Sequence, residues 1–279
     1  MSFCRSRALA RPGFVLAGLQ TGASRFWRSM RVLVTFAVEA EFAPWRALRQ
    51  FVKRSDGTAE FYSAQIGGAE VNILLTGVGG KSAWLETTKT VWGGDVDICV
   101  SSGLAGALHP EYRPGDILAA KEVQAVGWKR VVASDANLVQ LAIAYGAQGV
   151  ASFYSVDRVI GLASEKWALG RVADAVEMES GEVLYEASAF GAKVIAIRGI
   201  SDAVDEDLPL DFNKVVTSSG EVSIPQVLGE VVRHPMSTPA LVRFGKQSRM
   251  AAENLGAFLD RYVEGVISSM SSSIGAAAT

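Results

Sequence analysis

Residues 31–38, "RVLVTFAV", form an unbroken apolar run rich in β-branched side chains, the pattern of a strand buried on both faces. Similar runs recur at 96–108 ("VDICVSSGLAGAL") and 193–201 ("KVIAIRGIS"), with further strands expected at 115–126 and 149–161. "AEFYSAQIGG" and "EVNILLTGVGG" read as a hairpin turning at Gly67-Gly68. Segments of helical spacing separate the runs: 81–92, then 135–146 with Asp135 as N-cap and Gly146 as stop, then 164–171 and 180–191. Alternation of this kind predicts an α/β fold: a single domain with a central mixed, mostly parallel sheet flanked by helices. With 279 residues, 49% of them hydrophobic, the chain can bury one large core.

Charge and composition exclude several functions. Net charge is −2 and no basic block recurs in the body of the chain, so no nucleic-acid partner is expected. Two cysteines, Cys4 and Cys99, make no disulfide framework, which points to a reducing compartment, the cytoplasm. Two histidines and no Cys/His cluster argue against a metal site, and no cofactor motif is present. "TGVGGKS" is neither a Walker loop nor a full dinucleotide fingerprint. No stretch is apolar over transmembrane length, although association with a membrane stays open.

Both ends differ from the body. Residues 1–29 hold five arginines and no acid, and read as a disordered arm or as a start placed too early, with Met30 opening the domain. The domain is expected over 30–222. Residues 223–267 have helical periodicity and read as two or three helices packed on the domain; 268–279, "SSMSSSIGAAAT", read as a disordered tail.

Ligands of α/β sheets bind at the carboxyl ends of the strands. Those ends carry "EAEF" with Glu39 and Glu41, "TGVGGKS", "SGLAG", "VEMES" and "SD". Each glycine loop alone is a weak signal. Glu41 alone is as well read as a charge favoured at a helix N-terminus, and Asp202 as a turn cap. Carboxylates gathered in apolar surroundings, however, need a partner or a task.

Taken in order, "RVLVTFAVEAEF", "TGVGGKSA", "SSGLAGAL…PGDI", "VEMES" and "RGISD" resemble the nucleoside phosphorylase superfamily. The likeness runs from about Met30 to Phe212 and is greatest to the 5′-methylthioadenosine/S-adenosylhomocysteine nucleosidases. It implies cleavage of the N-glycosidic bond of a purine nucleoside, a small-molecule partner, and a homo-oligomer. A purine leaves ribose readily only once its N7 is protonated, so an acid must lie beside the ring. The resemblance gives that place to Asp202, with Ser201 as its neighbour. It gives Glu179 the ribose hydroxyls, Met178 the sugar face, and Glu41 the attacking water. Thr76 matches a hydroxyl near the water and sugar, and Arg198 an arginine that organises the carboxylates. Glu177 is not expected to touch the ligand. Where the family has an aromatic beside the base, this chain offers Val159 and Ile160 next to Arg158. No arginine stands where hexameric phosphorylases hold phosphate, so water fits better than phosphate. Three alternatives stand beside this reading: a nucleosidase for adenosylhopane, served by the extended C-terminal region; a phosphorylase; or a protein that binds nucleosides without turning them over.

Overall fold

A computed structural model describes residues 29–55, 60–92, 96–214 and 238–277. Strand β1 (Arg31–Phe36) lies in the middle of the sheet, parallel to β4 (Ala69–Leu75) on one edge and to β5 (Ile98–Ala107) on the other. Beyond β4 the sheet continues as an antiparallel meander through β3 (Glu60–Ile66) to β2 (Val52–Ser55). The β3–β4 hairpin turns at Gly67-Gly68, as expected. Strand β2 was not expected. Its sequence, Val-Lys-Arg-Ser, is exposed throughout, and its charges suit an edge that should not recruit another strand.

The far side of the sheet closes on itself. Strand β10 (Lys193–Asp202) runs parallel to β5 and antiparallel to β6 (Ile117–Ala125). Next come β8 (Gln148–Ser155), parallel to β6, and β9 (Ala175–Glu177), parallel to β8. Strand β9 then pairs antiparallel with β5, completing a five-stranded ring. A short β7 (Val131–Ala133), also unexpected, adds to β6. Closure depends on β5. The "SGLAG" segment, expected to be a loop, is its second half. Residues 98–101 pair with β1, and residues 106–107 pair with β9 on the same edge. Between them that edge has no strand partner, and there the site is built.

Two apolar layers sandwich the sheet. Helices α1 (Glu39–Leu48), α3 (Ala136–Ala144) and α6 (Thr238–Ala277) cover one face through Phe42, Trp45, Leu138, Leu255 and Tyr262. The other face is covered by α2 (Gly80–Trp92) and α5 (Ser180–Ala189), through Ala83, Val183 and Leu184. Asp135 caps α3 as expected, accepting from the amides of Asn137 and Leu138. The short α4 (Ala163–Leu169) lies beside the end of β10, which Lys166 contacts at Asp202.

Of the two or three helices expected over 223–267, the described part is one helix of 40 residues, Thr238–Ala277. It seats against α1 where Gly256 lies so close to the α1 backbone that an added Cβ would be 2.9 Å from the Trp45 nitrogen. Asp260 then accepts from Trp45 Nε1 (3.1 Å) and Arg49 Nε. Residues 268–277, read as a disordered tail, are its last turns. Small residues permit this, and the Ser268 and Ser272 hydroxyls bond back to the carbonyls of Glu264 and Ser268. Residues 223–237 of the expected helical region and residues 1–28 of the arm expected over 1–29 lie outside the described residues. Among the described residues no helix is long and apolar enough to cross a membrane.

Candidate active site

The carboxyl ends of β1, β9 and β10 and the unpaired stretch of β5 surround a cavity of about 580 Å³. Glu41, Met178, Glu179, Ser201, Asp202, Val159 and Ile160 all line it, brought together from four separate parts of the chain.

Glu41 sits at the third position of α1, and its Oε2 accepts from the Ala37 (2.9 Å) and Val38 (3.3 Å) amides. These two bonds cap the N-terminus of α1. Its Oε1 also reaches across to accept from Leu104 N (2.8 Å), an amide that no strand claims. The capping carboxylate is thereby held at the cavity wall. Glu39, two residues earlier, instead pairs with Arg46 on the half-exposed side of the helix.

Behind the cavity lies Arg198, 1% exposed. It pairs with Glu177, stands 3.5 Å from Glu179 Oε2, and donates to Ser180 Oγ (3.0 Å), which in turn contacts Ser101 Oγ. Gly103, at φ +143°, lies in front of this cluster. A Cβ there would be 2.5 Å from Arg198 Nη1 and 3.0 Å from Glu41 Oε1, so only glycine admits the guanidinium. Glu177 is wholly engaged, accepting from Arg198, the Ser155 hydroxyl and the amides of Glu179 (3.0 Å) and Ser180 (2.7 Å). The next carboxylate, Glu179, accepts from Gly79 N (2.9 Å) in the "TGVGG" loop. Met178 lies beneath that loop.

Three carboxylates thus share one buried guanidinium, and they divide its charge unequally. Burial works against the Glu177 anion, but Arg198, the Ser155 hydroxyl and the Ser180 amide outweigh it and hold this carboxyl below the ordinary range. Burial also raises Glu41, with Arg198 and the three amides only partly offsetting it. Glu179 is pushed up to about 7, by burial first and then by the Glu177 and Glu41 charges, against the pull of Arg198.

Glu179 therefore links stability to pH. Its ordinary value is 4.5, and its folded value about 7. Between the two, the folded chain holds a proton that the unfolded chain has lost, so this group's contribution falls as pH rises through that window. Above it the buried anion is a net cost. Glu179→Gln removes the ionisation and should raise Tm at pH 8 by ~2–4 °C, with little change at pH 4. A fall in Tm at pH 8 without one at pH 4 would show that Arg198 requires the Glu179 charge for folding.

At the other end of the cavity, Asp202 Oδ1 accepts from the Ser201 hydroxyl (2.6 Å), which also lies 3.2 Å from the Ala105 carbonyl. Its Oδ2 is met by the ammonium of Lys166, a residue with no exposed surface. Lys166 was not singled out from sequence, and nothing there marks it. In "SEKWALGR" hydropathy would bury Trp167 and expose the lysine, whereas Trp167 is 49% exposed. Ile160 is buried, and Val159 is held by a reciprocal pair of bonds with the Asn213 amide (2.8 and 3.0 Å).

Two expected site residues do not reach the cavity. Thr76 is buried with its hydroxyl turned to the carbonyls of Gly77 (3.0 Å) and Phe36 (3.3 Å), where it ties the end of β4 to β1. Arg198 stands behind the cavity wall, paired with Glu177 and 3.5 Å from Glu179. Also missed from sequence is a far wall of Leu208, Phe212 and Phe244. The two phenylalanine rings lie 5.3 Å apart and join the turn Phe212–Lys214 to the start of α6.

The fold is thus a ring-closed mixed sheet with helices on both faces and acids gathered at its strand ends. The family model of the phosphorylase superfamily matches residues 31–264, and the chain belongs to that superfamily. Among solved structures it resembles a 5′-methylthioadenosine/S-adenosylhomocysteine nucleosidase from Helicobacter pylori, at 20% identity and TM-score 0.66, over 85% of this chain and 99% of that one. The futalosine hydrolase of Helicobacter pylori is similar at 19% identity and TM-score 0.66, over 85% and 98%. A nucleosidase of the first kind from Neisseria meningitidis, solved with methylthio-immucillin-A, is similar at 21% identity and TM-score 0.63, over 84% and 99%.

Proposed function

We propose that the protein hydrolyses the N-glycosidic bond of a 5′-substituted adenosine and releases adenine. The observation that carries this reading is the convergence of Glu41, Glu179 and Asp202 on one cavity, with Met178 beside them. Asp202 gives a proton to N7 of the base as the C1′–N9 bond breaks, and that electron pair leaves with the purine. Glu179 accepts from the ribose hydroxyls while Met178 packs on the sugar. Glu41 takes a proton from the water that attacks C1′. Val159 and Ile160 supply the apolar wall for the base. The nearby carboxylates also favour the positive character that the sugar acquires.

Water is preferred to phosphate on electrostatic grounds. Among the described residues, the cations lining the cavity are Arg158 and Arg249, each committed to a neighbouring glutamate, Glu165 and Glu253. Where a phosphate would have to sit beside C1′, the wall presents Glu41, which repels a dianion. The expected products are adenine and the free sugar, at a rate indifferent to added phosphate. Chromatography of the sugar product checks this, and a sugar 1-phosphate would replace the hydrolase reading with a phosphorylase one.

A second reading concerns the 5′ group. Helix α6 contributes Phe244 and Ala252 to the wall, which Pro44, Leu208 and Phe212 also line. An apolar wall of this kind favours a large hydrocarbon 5′ substituent of the adenosylhopane type over the compact methylthio group. Comparison of kcat/KM across adenosines with 5′ groups of increasing apolar size separates the two. The nucleoside role is consistent with a homo-oligomeric, cytoplasmic protein.

A further inference from the structure

Lys166 is a lysine with no exposed surface, and it makes three bonds at once: to Asp202 Oδ2, to the Ala203 carbonyl (3.0 Å) and to the Glu206 carbonyl (2.8 Å). A buried ammonium is retained only where its partners repay desolvation, and all three belong to the segment that begins with Asp202. The same segment is tied to the start of α4 twice more. Asp207 accepts from Ala163 N (2.7 Å), and Leu208 N donates to the Gly161 carbonyl (2.8 Å). Ser201 holds the other carboxyl oxygen. Asp202 therefore has neither oxygen free to swing, and its orientation toward the cavity is set from α4.

We infer that Lys166 is a positioning residue for the acid. It fixes the Asp202 carboxyl through Oδ2, and its ammonium stabilises the carboxylate that remains once N7 has taken the proton. The inference rests on the reading of Asp202 as proton donor. The protons balance as follows. In the resting protein Asp202 is the carboxylate partner of Lys166. It takes one proton from solvent as the nucleoside binds and passes it to N7, while water gives hydroxide to C1′ and a proton to Glu41. Solvent then removes the proton from Glu41, and Asp202 is again the carboxylate. Lys166 keeps its proton throughout, so it contributes charge and geometry rather than a transferred atom.

The leaving group provides the test. Adenine needs protonation to depart, whereas 4-nitrophenolate does not, so only the first depends on a well-held acid. Lys166→Met should lower kcat for 5′-methylthioadenosine by ~100-fold, with KM changed by less than ~3-fold. Its kcat for a 4-nitrophenyl riboside bearing the same 5′-methylthio group should stay within ~3-fold of the unmodified protein. Lys166→Gln keeps a donor for the two carbonyls without the charge and serves in the same way if the methionine variant does not fold. Undiminished cleavage of the nucleoside, or an equal loss on both substrates, would overturn the positioning role, the second by showing a general structural defect. Asp202→Asn run in parallel separates the two levels: if it still releases adenine at the unmodified rate, the acid reading fails, and this inference with it.

Discussion

Asp202→Asn should lower the rate of adenine release by ~10²–10⁴-fold, the range that a positioned acid contributes. Asparagine matches the shape of aspartate and can still receive Lys166 at its carbonyl oxygen. Its amide, however, has no proton to give at neutral pH, and it cannot balance the buried ammonium. Removing one member of a buried ion pair leaves the other uncompensated, at a cost of ~3–5 kcal/mol. A lower Tm is therefore expected together with the loss of rate. Saturable binding of a nucleoside analogue by the variant distinguishes lost chemistry from a lost site. If the variant binds and also turns over adenine nucleosides at the unmodified rate, Asp202 is not the acid.

Glu41→Gln should slow hydrolysis by ~100-fold or more, as expected for a lost general base. It should also weaken the fold, because Glu41 accepts three backbone amides with its two oxygens. Glutamine offers one acceptor oxygen, and its amide nitrogen must face either the Ala37 and Val38 amides or the Leu104 amide. Donor opposed to donor leaves a buried group unsatisfied, at ~1–3 kcal/mol. Tm measured beside kcat keeps the two roles apart. A fall in Tm with an unchanged rate would reduce Glu41 to a helix cap and β5 tie.

Much of this site was legible because its residues sit at the ends of elements with clear local signals. β1, β5 and β10 are written as apolar, β-branched runs, and a run that ends in carboxylates marks a strand end by composition alone. Strand-end chemistry marked the segments "EAEF", "VEMES" and "SD"; the family resemblance singled out Glu41, Glu179, Asp202, Met178 and Ser201 within them, and these line one cavity. Thr76 shows how far such a signal reaches. It identifies the strand end, but not the side to which the hydroxyl turns, and the Gly77 and Phe36 carbonyls take it away from the cavity.

By itself, then, the order of residues determined the alternation of strands and helices and the acids at the strand ends. Both follow from periodicity and local chemistry over a few residues. Tertiary structure decided the rest. Ring closure depends on β5 changing partners from β1 to β9 within ten residues, which no hydropathy pattern records. The unpaired edge that this leaves presents the Leu104 amide to Glu41 from 63 residues away. The burial of Lys166 was decided in the same way. Its place on α4 looks solvent-facing in sequence, and becomes interior only because Asp202 and two carbonyls 36 to 40 residues further on supply the partners that an ammonium needs away from water.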